Sequence, residues 1–287
     1  MDYFMIRSFD QAGYYETRLV LLVLCLAVAV YFLKARRDFR YLLMLLNGAL
    51  WQAAMEMTLA LFGLRGAGFS ISAFGFAVPS AITWLVQGLT EGGVLCLMSF
   101  WFLDLYLDRP ARRRGWAAYG GMCVLIVLLS CIVGVLALGE DVTSRRDMFA
   151  PISVVLTTYV VIVSLAVVAV KGGSSFRYLS IYFLGCLLFF ILKRQPVHLL
   201  GGRYIAESTA DGGLAVASLA NQFWLMLYSH LNVTAGKIHY FVVPYALGFL
   251  GLPTDAGRRE DRTTDSGKEV PQDGCANAGA RSARRAR

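Results

Sequence analysis

The chain has 287 residues, of which 57% are hydrophobic and only 16% charged, with a net charge of +8 and a mean hydropathy of +0.58. A soluble domain of this length would scatter its apolar residues over short periodic stretches. Here they run in blocks of about twenty, the composition of membrane spans. The basic balance does not point to nucleic acid, because the cations sit in short clusters between apolar blocks and in the tail, the pattern that orients a membrane protein.

The N-terminal residues 1–17 are short, polar and aromatic and are expected outside the membrane. A first span over about 18–33 stops at Lys34, Arg36, Arg37 and Arg40, a cluster that should stay cytoplasmic. No basic segment precedes this run and no small-residue cleavage site follows, so it reads as a retained signal anchor. The second span, about 41–62, returns outward, and residues 66–78 read as an interfacial loop held by aromatics. The third, 79–107, has 29 residues; at about 1.5 Å each it is too long to cross upright, so it must tilt, kink or protrude. Arg109 and Arg112 to Arg114 follow it.

Further spans are expected over about 117–138, 152–170, 178–192 and 214–231. The reading is therefore an all-α, polytopic membrane protein with seven transmembrane helices, N-terminus outside and C-terminus cytoplasmic. Inner turns carry ten Lys/Arg against six outside, a moderate bias in the expected direction. Residues 238–252, interrupted by Pro244, suit an interfacial segment better than an eighth crossing. The transmembrane domain thus covers 18–252, and 254–287, with eight Lys/Arg, six Asp/Glu and no aromatic residue, reads as a disordered cytoplasmic tail.

Within the spans a few polar residues stand out. Gln52-x-x-x-Glu56 in the second span is echoed by Gln87-x-x-x-Glu91 in the third, and positions four apart share a helix face. Counting along the spans puts both acids, both amides and Asn221-Gln222 of the seventh span in one slab near mid-membrane. Such groups lack partners in hydrocarbon and should turn toward one another or toward water. No Lys, Arg or His falls at that depth, so at least one of the two acids is expected to hold its proton at neutral pH. Arg65 is the nearest candidate counter-ion, although snorkelling would carry it to water. Glu56 and Glu91 are accordingly the candidate catalytic residues. Gln52, Gln87, Asn221 and Gln222, walled by Trp51 and Trp224, are the candidate substrate-binding residues. A helix-to-helix clamp is the plainer alternative, since Gly88-x-x-x-Gly92 permits close contact.

Five of the six cysteines lie in apolar blocks without a Cys-x-x-Cys pair and read as reduced packing residues. His198, His230 and His239 are too scattered for a ligand set, so no metal and no cofactor is expected. No nucleophile elbow or phosphate-binding glycine loop occurs, and the seventh span has no lysine for a retinal Schiff base. In size, span number and two intramembrane acids the chain resembles membrane-bound terpene cyclases. That family's Asn-x-x-Trp-Glu element is shadowed by Asn47-x-x-x-Trp51-Gln52, with the acid replaced and the spacing changed, so no residue role carries over. The leading expectation is acid-base chemistry on a lipid or isoprenoid-like substrate, of cyclase or isomerase type. A proton-linked small-solute transporter and a non-catalytic receptor or assembly factor are the alternatives. Expected partners are membrane lipids and a small apolar or amphiphilic ligand.

Overall fold

The computed structural model describes residues 2–7, 14–61, 71–107, 112–136 and 144–252. The tail 254–287 and Arg65 lie outside the described residues. The long apolar blocks become helices because only a helix satisfies its own backbone in an apolar setting. Helices α1 (Tyr14–Arg36) and α2 (Arg40–Leu61) form an antiparallel pair. The next block is continuous but not uniform: α3 (Ser80–Gln87), a π-helical stretch Gly88–Gly93, then α4 (Val94–Leu107). Then come α5 (Arg112–Leu136), α6 (Pro151–Lys171), α7 (Gly173–Leu199), α8 (Leu219–Ala235) and the short α9 (His239–Ala246). Gly172, at φ 101°, makes the one-residue reversal between α6 and α7, a conformation that favours glycine.

The protein is mainly helical, and five of these helical runs are long and apolar enough to cross a membrane: 15–36, 82–107, 113–136, 151–171 and 173–199. The two other expected spans, α2 and α8, do not join that set; α2 buries Gln52 and Glu56, and α8 buries Gln222, Ser229, His230 and Thr234. α4 is the hub: ten of its 14 residues are buried, and it packs against α1, α2, α5 and α7. Buried aromatics fill the space around it, with Phe32 stacked on Tyr41 at 3.7 Å and Tyr182 on Phe241 at 5.0 Å.

Strands were not foreseen from the sequence. β1 (Tyr3–Arg7), β4 (Ser144–Asp147), β5 (Arg203–Ser208) and β6 (Leu214–Val216) form an antiparallel sheet in the order β4-β1-β5-β6. It draws on the segment before α1, the α5–α6 connection and the α7–α8 connection, so it joins these helix ends into one sheet end of the bundle. Met5, Met148, Ile205 and Ala217 close a small core against Met226 of α8. β2 (Ile71–Ala73) and β3 (Phe76–Val78) form a hairpin turned by Phe74 and Gly75, both at positive φ. The Phe74 amide donates to the Glu16 carboxylate at 2.7 Å, which pins the hairpin to the start of α1.

Two boundaries depart from the expected ones. α7 does not stop at 192 but runs through Lys193 and Arg194, whose cations lie over the rings of Phe189 and Phe190 one turn back. Cation–ring contacts of this kind let charge continue along a helix that composition alone would end. The expected span over 214–231 begins instead as β6, and α8 starts after Ser218, whose hydroxyl accepts from the Asn221 amide at 3.3 Å. At the opposite end Arg40 holds Asp38 at 2.7 Å and Asp104 at 3.1 Å, and Tyr41 donates to Asp104 at 2.7 Å. Burial pushes the Asp38 carboxyl up, but hydrogen bonds from the Arg40 side chain and backbone outweigh it and leave it below its ordinary value.

Candidate functional site

The site is built on a close approach of two helices. A side chain added at Gly48 or Gly92 would strike the other helix's backbone, and one at Gly88 would meet the Ala49 carbonyl at 2.5 Å. Small residues therefore bring α2 directly onto the π stretch. A π turn inside an α-helix is rare and is frequently found at functional sites. Glu91 lies within this one. It points to α1, where Arg18 Nη2 meets its Oε1 at 2.6 Å. The other Arg18 nitrogen, Nη1, donates to Gln87 Oε1 at 3.3 Å, and the Tyr15 hydroxyl approaches the same oxygen at 3.5 Å. The sequence-paired Gln87 and Glu91 thus share one guanidinium, which is 5% exposed, while Glu91 is 26% exposed.

The second pair is organised differently. Gln52 Nε2 donates to Glu56 Oε1 at 2.7 Å along their own helix. Lys237, at the turn between α8 and α9, reaches in and donates to Gln52 Oε1 and, at 2.9 Å, to the Tyr240 hydroxyl, which itself donates to Gln52 at 3.0 Å. Lys237 also lies 3.6 Å from the sulfur of Met55. Asn47 fixes this turn by donating to the Tyr240 carbonyl at 2.7 Å.

Both interior acids therefore sit within cation-bearing groups, contrary to the expectation that no cation reaches their depth. Arg18 turns inward from the first span, and Lys237 follows a chain reversal. The slab is corrected as well. With Gly48 against Gly92, α2 is antiparallel to the π stretch in a register that puts Glu56 about two turns, roughly 10 Å, nearer the sheet end than Glu91. The acids are adjacent groups at different heights, and Tyr240 lies within electrostatic reach of both.

The α8 candidates go elsewhere. Gln222 pairs with the Ile205 backbone like an added strand residue, accepting from its amide at 2.8 Å and donating to its carbonyl at 2.6 Å. Asn221 donates to the Tyr3 hydroxyl at 3.1 Å. Both belong to the sheet end because α8 starts only at Leu219. Trp51 meets His239 edge-on at 5.0 Å, and Trp224 is 63% exposed. Arg18, Tyr15, Lys237 and Tyr240 are the participants that sequence reasoning missed. The one available signal was that a buried acid requires a counter-charge, without any indication of which span end supplies it.

This arrangement defines a helical bundle of membrane-spanning composition that holds ion-paired and hydrogen-bonded charge in its interior. No family model, curated protein or solved structure matches the chain.

Proposed function

We propose that the protein is a multi-pass membrane enzyme performing acid-base chemistry on a lipid or isoprenoid-like substrate. The observation that carries this reading is Glu91, set in a π turn and ion-paired to a buried arginine. A buried ion pair is commonly no more stable than an apolar replacement, and a π turn forfeits regular helix bonding. Two such departures at one residue fit a chemical role better than a clamp, which a Gln and two glycines would supply. In this reading Glu91 exchanges a proton with the substrate while Arg18 orients its carboxylate. Lys237 and Tyr240, tied through Gln52 to Glu56, form the second proton-exchanging group. Entry from the bilayer suits a chain built almost wholly of apolar helices. The sheet end faces outward in this proposal, and the Arg36 to Arg40 turn faces the cytoplasm, in line with the charge bias.

The test is to profile membrane lipids by mass spectrometry in cells producing the native protein, Glu91→Gln, Glu56→Gln or none. A species present only with the native protein should fall at least about 100-fold in Glu91→Gln, the scale of a lost general acid or base. An unchanged product in both variants overturns the reading. Proton-linked passage of a small solute is the second reading, favoured by Tyr240 lying within reach of both acids. Uptake indifferent to a pH gradient would remove it.

A further inference from the structure

A groove runs between α6, α7 and the turn that joins α8 to α9. Leu165 of α6, Leu179, Phe183 and Leu184 of α7, and Ala235 and Ile238 of the turn line it, and it encloses about 400 Å³. We propose that this groove binds the hydrocarbon chain of a lipid substrate and sets the length of chain that the protein accepts. The inference deepens the acid-base reading by giving its substrate a tail site, and rests on that reading for the chemistry done on the molecule.

Position and composition make the first argument. The lining residues of α7 lie six to eleven residues past its start, and Leu165 lies six before the end of α6. At 1.5 Å per residue that is about 9–17 Å from the α6–α7 turn, around the middle of a hydrocarbon core ~30 Å thick. α6 is the least buried of the five long apolar helices. Leu165, Ser180 and Leu184 stand exposed on the rim, while Leu179 and Ile238 close the floor. The groove thus opens sideways to lipid, at a depth where a polar ligand finds neither water nor head group. Among the described residues no ionisable side chain lines it, and Ser180 is its one polar residue. The chain beyond Leu252 offers little to fill it, since residues 254–287 hold one valine and no leucine, isoleucine or aromatic residue. Allowing ~30 Å³ for each methylene, about the share of a water in the liquid, there is room for roughly a dozen. An empty groove leaves its walls without contacts on one side, and a chain of matching length restores them. Between apolar surroundings that packing, and not escape from water, makes one chain bind better than another.

A break in a helix makes the second. α8 ends at Ala235, and α9 carries the chain on into the core. The Tyr240 carbonyl accepts from Asn47 at 2.7 Å, Phe241 stacks on Tyr182, and the Tyr245 hydroxyl meets Ser175 at 2.6 Å near the start of α7. The turn between α8 and α9 therefore lies inside the bundle, and helices interrupted near mid-membrane form the substrate sites of many transporters. Ala235 and Ile238 face the groove, while Lys237 between them turns to Gln52 and the Tyr240 hydroxyl. A chain held in the groove is thus held on the same turn that presents the Lys237–Gln52–Glu56 group.

The experiment uses the full chain in phosphatidylcholine nanodiscs, with tetradecanol carrying a mid-chain diazirine as the photoactive probe and mass spectrometry to locate the label. Labelling at Phe183 should saturate as the mole fraction of probe rises. Labelling at Val155 and Val170, on the open side of α6, should rise in proportion to it. Unlabelled tetradecanol and farnesol are added as competitors, and the one that displaces the saturable part at lower mole fraction identifies the chain as straight or isoprenoid. Leu165→Trp and Ser180→Trp fill the groove from its exposed rim without crowding the core. Each should abolish the saturable labelling, leave the unfolding midpoint near native and lose the longest-chain lipid products in cells. The proposal is overturned by proportional labelling of Phe183 in the native protein, by saturable labelling that survives both tryptophan variants, or by tryptophan variants that keep every product lost in Glu91→Gln. Glu91→Gln leaves the groove unaltered and should take up the probe like native. Saturable labelling together with unchanged lipid products in Glu91→Gln would therefore defeat the acid-base reading and leave the chain-binding groove standing.

Discussion

Lys237 shows how much one side chain can decide. Its ammonium is inside the bundle, held by Gln52 and the Tyr240 hydroxyl, with only 7% of the residue exposed. Replacing it by Met keeps the volume but strips two oxygens of a charged donor. Lys237→Met should therefore destabilise the protein by about 2 kcal/mol, read as a lower unfolding midpoint in nanodiscs. A midpoint equal to native would mean that the lysine is not anchored there. The acids were legible in the sequence because a carboxylate inside a long apolar run has no innocent local explanation. Arg18 and Lys237 were not, because a cation near a span end has the same local sequence whether it snorkels outward or turns in. That choice is made by partners on other helices.

At the scale of elements, the contact between α2 and the π stretch is the tightest feature near the site. Gly92→Ala would set a methyl against the Gly48 carbonyl and the Gln52 side chain, where neither backbone has room to move. It should cost about 1–3 kcal/mol, as overpacking does. Gly120→Ala, whose added methyl meets nothing within 4 Å, should be neutral or stabilise by up to about 1 kcal/mol. Equal midpoints for the two variants would contradict the close approach. The sequence pattern Gly88-x-x-x-Gly92 announced such a contact; the 29-residue run, expected to tilt, kink or protrude, contains a π turn at its middle that was not foreseen. Element ends were less legible. Lys193 and Arg194 read as a terminus until Phe189 and Phe190 are seen beneath them, and Leu214 to Val216 read as helix until β5 lies alongside to pair with them.

For the whole molecule, the sheet fixes which helix ends lie together. β1, β4 and β5 come from segments that the charge pattern had assigned to one side of the membrane, so their pairing and that assignment agree on which ends are neighbours. The outward direction of that end remains part of the proposal and has its own test. In intact cells a membrane-impermeant maleimide should label Asp211→Cys in the β5–β6 turn, and should label Arg37→Cys only after permeabilisation. The reverse pattern would invert the orientation.

The sequence by itself determined the apolar helical blocks, the basic turns between them and the identity of the two interior acids. Each follows from the local free energy of transferring a side chain or backbone group out of water, which depends on neighbours a few residues away. Only the tertiary structure decided which cation meets which acid, the heights of Glu56 and Glu91, the sheet that joins the helix ends and the placing of Asn221 and Gln222 at the sheet end, away from the two acids. Those outcomes depend on contacts beyond the local sequence, from the 17 positions between Ile205 and Gln222 to the 218 between Tyr3 and Asn221, and no local preference encodes such a partner.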